Sequence, residues 1–74
     1  MPAQTVDVRD GAIRLGQFLK LAAVADSGAQ ARALLADGEV TVNGEVEQRR
    51  GRQLTRGDEI VVALPDAERQ YRVG

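Results

Sequence analysis

The sequence predicts an α+β fold in which two short helices pack on a small antiparallel sheet carrying an Asn-Gly hairpin. Three observations predict it. Apolar residues recur at helical spacing in two adjacent segments. Asn43-Gly44 stands between two alternating valine segments. Beyond it, short apolar runs are separated by Gly, Pro and Asp turn signals. The 74 residues are expected to form one domain over positions 1–74. A domain of this size hides only roughly 60% of the surface its unfolded chain exposes, so its core is thin.

Thr5 to Val8 alternates and reads as a short strand, ended by the turn signal Asp10-Gly11. From Arg14 the period changes. Leu15, Phe18, Leu19 and Ala22 fall at i, i+3, i+4 and i+7 on one helical stripe, with Arg14, Gln17 and Lys20 on the other side. Ser27 with Gln30 three residues later is a capping box that opens a second helix, and Gly38 after Asp37 stops it. In that helix Ala31, Leu34 and Leu35 share the face expected to meet the core. Ala29, Ala33 and Ala36 share the opposite face, which is expected to admit the first helix at close range.

Strands follow. Val40–Val42 leads into Asn43-Gly44, whose type I′ turn needs positive φ at both central residues, and Glu45–Gln48 leads out. Val40, Val42 and Val46 are the apolar positions of this hairpin. Leu54 is a lone apolar anchor, and Arg56-Gly57-Asp58 forms a turn. Ile60–Leu64 is the most apolar strand; Pro65-Asp66 breaks it, and Gln70–Val73 returns as the last strand with Tyr71 and Val73 on one face. The first and last strands are expected to pair, tying down both ends.

Composition narrows the function. With no cysteine and no histidine, the chain has no thiolate chemistry, no disulfide, and neither the commonest metal ligand nor the usual neutral-pH proton shuttle. No apolar run approaches the roughly 20 residues of a membrane helix and no signal peptide is visible, so a cytoplasmic location and no membrane partner are the expectation. The acidic pairs Asp58-Glu59 and Asp66-Glu68 lie where turns ordinarily place acids, Ser27 has a capping role and no base, and no Gly-rich phosphate loop occurs. The chain is therefore not expected to be an enzyme, and neither cofactor nor metal is expected.

The net charge is −1, but it is unevenly spread. Residues 1–48 carry four basic groups against seven acidic ones; residues 49–74 carry six arginines against four acids. At physiological salt, charges more than about 8 Å apart are largely screened, so a local patch acts where the total does not. Arg49, Arg50, Arg52 and Arg56 lie on a connection between strands, and guanidinium matches phosphate bidentately. Gly51 between them lets the backbone turn and a phosphate approach. The plainer reading is a solvated loop whose charges neutralise Glu45, Glu47, Asp58 and Glu59. Aromatic platforms are scarce: Phe18 falls on a core face, which leaves Tyr71 to stack on a base.

The run from Ile13 to Val62 resembles the RNA-binding domain first seen in small-subunit ribosomal protein four, the S-four domain. The motifs are Arg14-Leu15 opening a helix, Ser27 starting the next, Gly38-Glu39-Val40-Thr41-Val42-Asn43-Gly44, a basic stretch, and Gly57-Asp58-Glu59-Ile60. Its small stand-alone bacterial members are the most similar. The resemblance implies a fold of the alpha-L type and a non-enzymatic domain that docks a basic loop and the second helix on the backbone of structured RNA. Carried over by position, it implies RNA contacts by Gln30 and Arg32 on the helix, by Arg49, Arg50 and Arg52 beyond the hairpin, and by Arg14. Many members have an arginine directly after the serine; this chain has Gly28. Neutralising about four or five phosphates would give a salt slope of roughly −3 to −4.5.

Ribosomal RNA, transfer RNA and a regulatory RNA all fit this reading as partners, and it fixes no oligomeric state. The alternative is a protein-interaction module that sets the arginine loop on an acidic partner. VTVNGEVEQ with GDEIVV is also similar to the closing half of ubiquitin-like sulfur carriers. Those end in Gly-Gly and have a hairpin before the helix, whereas here two helices precede the hairpin and the end reads Arg72-Val73-Gly74.

Overall fold

The computed structural model describes residues 3–74, the Asp10 side chain excepted; Met1 and Pro2 of the expected domain lie outside the described residues. Strand β1 (Gln4–Val6) is followed by a 3₁₀ turn (Arg9–Gly11), β2 (Ala12–Arg14), helix α1 (Leu15–Leu21) and helix α2 (Gly28–Ala36). Strands β3 (Val40–Val42), β4 (Glu45–Val46), β5 (Gln53–Thr55), β6 (Glu59–Ala63) and β7 (Glu68–Val73) complete the fold. The architecture is α+β, with two helices beside a five-stranded sheet in the order β1-β7-β6-β3-β4 and a separate β2-β5 ladder.

The end strands do pair, but in parallel (Gln4 opposite Tyr71, Val6 opposite Val73), so the main sheet is mixed and not purely antiparallel. A parallel neighbour cannot be joined by a tight turn, and here almost the whole chain forms the connection. The β2-β5 ladder is a feature that periodicity could not foresee. Each strand has three residues, and the pairing sets half-buried Ile13 opposite buried Leu54.

Both helices stop the same way. Gly38 (φ 74°) follows α2, with Gly38 N–H donating to Leu35 C=O and Glu39 N–H to Leu34 C=O, a Schellman closure. Helix α1 ends in the same bonds, Ala23 N–H to Lys20 C=O and Val24 N–H to Leu19 C=O, but Ala23 occupies the left-handed position at φ 62°. At the start of α2 the Ser27 hydroxyl accepts from Gln30 N–H at 3.1 Å, while the Gln30 side chain accepts from Asp26 N–H at 2.6 Å. The capping box thus closes one residue further back than its usual form.

The core joins Leu15, Phe18 and Leu19 of α1, Ala31 and Leu35 of α2, Val40, Val42, Leu54, Ile60 and Val62 of the strands, and Tyr71 and Val73 of β7. Tyr71 meets Phe18 edge to face with ring centroids 6.1 Å apart, so it is not free to stack on a base.

Two expectations about side chains are corrected, those for the alanine face and for Val46. Ala29, Ala33 and Ala36 face solvent and do not receive α1. A nine-residue helix at the surface has one covered stripe, and here Ala31 and Leu35, four apart, form it within the common core. Leu34, half-buried, packs against the rim of the core on the face expected to meet it. Val46 is 61% exposed because it pairs with Thr41, and cross-strand partners share a face; Val40 and Val42 take the other one.

The two most motif-like segments meet. Asn43 Nδ2 donates to Asp58 Oδ1 at 3.1 Å, and Asn43 Oδ1 accepts from Glu59 N–H at 2.9 Å. Asp58 Oδ2 also accepts from Thr55 N–H, closing the turn at Gly57. Asn43-Gly44 and Gly57-Asp58 are thus one hydrogen-bonded lock between the hairpin and the turn before β6.

Candidate functional site

The arginine loop between β4 and β5 has no ladder of its own, so its shape must come from elsewhere. Strand alternation supplies the first tie. Val46 points out, so Glu47 points in, and Glu47 N–H donates to Val40 C=O at 3.0 Å. Glu47 is 7% exposed and is the one buried charged residue among the described residues. Its Oε2 accepts from both the backbone N–H and Nε of Arg49, each at 3.1 Å, and its Oε1 accepts from Arg49 Nη2 at 3.0 Å and Arg52 Nη1 at 3.2 Å. This set of donors, the Arg49 side chain first, holds the Glu47 carboxyl down at about 2 and pushes the Arg49 guanidinium up.

The second tie is the start of α1. The first N–H groups of a helix have no partner within it. Here Leu15 N–H donates to Arg52 C=O at 2.8 Å and Gly16 N–H to Arg50 C=O at 2.9 Å. A third comes from Gln48, whose Nε2 donates to Ala36 C=O at the end of α2.

These ties sort the arginines. Arg49 and Arg52 turn onto Glu47, although the Arg49 side chain stays 77% exposed. Arg50 instead lines a surface cavity of about 260 Å³ together with Arg14, Lys20, Gln17, Gly28 and Gly51. Arg14 arrives there because it ends β2 opposite Gln53, immediately after the loop. Its Nη1 lies 3.9 Å from the point where Gly51 would carry a Cβ. Three basic residues from two separate stretches of the chain therefore line one opening, and no carboxylate among the described residues lines it. None of the three forms an ion pair among the described residues. Glycine at 16, 28 and 51 keeps the walls low; at Gly28 a side chain would meet nothing within 4 Å.

Of the six expected contact residues, Arg14 and Arg50 come together. Arg49 and Arg52 lie on Glu47, Arg32 is exposed on α2 away from this cavity, and the Gln30 side chain caps α2. Arg56 lies over Gly11, its Nη2 3.3 Å from the position of a Cβ there. Lys20 was not among those six. Its signal was present in the stripe Arg14, Gln17, Lys20, whose three members all line the cavity. The inward position of Glu47 was likewise legible from strand alternation.

The S4 domain family matches residues 6–73. A protein of Bacillus subtilis (strain 168) described as probable ribosome maturation protein RlbA is 45% identical over 60 residues, which cover 81% of this chain and 84% of that protein. The family match spans the lock between Asn43 and Asp58, both helices and the arginine loop, and on that match the chain belongs to the S4 domain family.

Proposed function

We propose that this chain is a non-enzymatic RNA-binding domain that places the cavity between α1, α2 and the arginine loop on the sugar–phosphate backbone of structured RNA. Family membership and the ribosome-maturation relative point to an RNA-related role. The relative makes ribosomal RNA in a bacterial cytoplasm the first target to try. One observation supports the reading: Arg14, Lys20 and Arg50 line one opening that no carboxylate among the described residues lines, in a chain whose net charge is −1. With both aromatic side chains in the core, contacts to backbone and shape are the available mode, and 2′-hydroxyls allow RNA to be told from DNA. Phosphate contacts orient without reading sequence, so low sequence specificity is expected.

The test is a titration of a folded ribosomal RNA fragment across a salt series, with a DNA duplex of matching sequence as control. With Arg49 and Arg52 engaged by Glu47, about three phosphates are neutralised, and log K should fall against log salt with a slope of roughly −2 to −3. Arg50→Ala should weaken binding to all RNAs alike and make the slope shallower by about one. It should change stability by no more than about 0.5 kcal/mol. A salt-independent interaction, or none, sinks the reading in favour of a protein partner.

A further inference from the structure

Three arginines within four positions would ordinarily be three equivalent charges on a mobile loop. Here they are not equivalent. Arg49 and Arg52 converge on the carboxylate of Glu47, and Arg50, between them, faces the cavity. Arg52 N–H donates to Arg49 C=O at 3.2 Å, closing the turn across Arg50 and Gly51. From the other side, Gly16 N–H and Leu15 N–H hold the carbonyls of Arg50 and Arg52. The carbonyl of Arg50 is thus held by the start of α1, while its neighbour Arg49 is held through its own backbone N–H by Glu47.

We infer that Glu47 is a positioning residue of the RNA-binding surface: it draws Arg49 and Arg52 aside and so delivers Arg50 to the cavity it shares with Arg14 and Lys20. The inference rests on the RNA-binding reading above. Glu47 itself does not touch RNA; it acts through the loop. A side chain that served only as a counterion would not need its four hydrogen bonds divided so that one oxygen takes the backbone N–H and Nε of Arg49 while the other bridges two guanidinium groups. That division fixes a direction for each arginine as well as a charge balance.

The inference gives an effect opposite in sign to simple electrostatics. Glu47→Ala removes a negative charge and releases two guanidinium groups, so charge alone would tighten RNA binding and steepen its salt dependence. Positioning gives the reverse. Glu47→Ala should lose as much affinity as Arg50→Ala, with the salt slope shallower by about one. The double variant Glu47→Ala/Arg50→Ala should lose little more than either alone, because both remove the same contact.

Wild type, the two single variants and the double variant are titrated with a folded ribosomal RNA fragment at several salt concentrations, and thermal melts establish that each is folded at the assay temperature. If wild type does not bind, the RNA reading itself fails. If wild type binds and Glu47→Ala binds equally or more tightly, or if the two losses add in full, Glu47 does not position Arg50 and this inference alone is overturned. Should Glu47→Ala not fold, Glu47→Met, which fills similar space without an acceptor oxygen, is judged by the same criteria against Arg50→Ala.

Discussion

The amide of Gly16 donates to the carbonyl of Arg50 at 2.9 Å, and a Cβ at Gly16 would lie 3.2 Å from the Cβ of Arg50. The start of α1 and the arginine loop are therefore in backbone contact, made possible by a missing side chain. A larger residue must push the loop outward or lose the bond. Gly16→Val is expected to lower RNA affinity and to shift the amide resonances of Arg50 and Gly51, while the fold persists. Titration and amide spectra check this; unchanged affinity would mean that the loop's distance from α1 is immaterial to binding.

Gly28 gives a prediction of gain. It lines the cationic cavity and has open space where a side chain would begin. It also stands directly after the capping serine, where many members of the family have arginine. Gly28→Arg should add a guanidinium at the rim, tighten RNA binding and steepen the salt slope by about one. Helix propensity also improves by up to about 1 kcal/mol on replacing glycine. Comparing the two salt series decides the matter, since a pure stability gain leaves the slope unchanged.

Glu47 predicts the acid limb of stability. Its carboxyl is held at about 2 against an ordinary value of 4.5, chiefly by the Arg49 side chain and then by the Arg49 backbone N–H. A group whose folded value is depressed contributes stability that is fully present above the unfolded value and lost as pH falls through the folded one. The contribution is therefore complete above about pH 5 and disappears on descending from about 4.5 to about 2. Urea unfolding at pH 7, 4, 3 and 2 should show wild type losing more stability over this range than Glu47→Gln, in which the carboxylate is absent. Parallel acid limbs would contradict the bonding of Glu47 to Arg49 and Arg52.

Ala23 predicts a stabilising change remote from the cavity. It closes α1 at φ 62°, where an L side chain is strained and glycine is not, and it is exposed. Ala23→Gly should raise stability by about 1 kcal/mol, which for a domain of this size corresponds to a melting temperature higher by about 4–8 °C. RNA affinity should stay unchanged, and a calorimetric melt beside a titration checks both parts.

Much of the fold was legible because it rests on local rules. The stripe Leu15, Phe18, Leu19, the cap at Ser27, the left-handed stop at Gly38 and the Asn43-Gly44 turn depend on neighbours within a few residues, and each is found where its pattern places it. What the sequence determined by itself is thus the kind of domain and the cations available to it. Which cations are free was decided only in three dimensions. Arg49, Arg50 and Arg52 are chemically alike and almost adjacent, yet an inward carboxylate claims two of them. The third is left beside Arg14 and Lys20 by a ladder whose three-residue strands carry no period to read. Charge follows composition, but its availability follows the pairing of side chains brought together from distant parts of the chain.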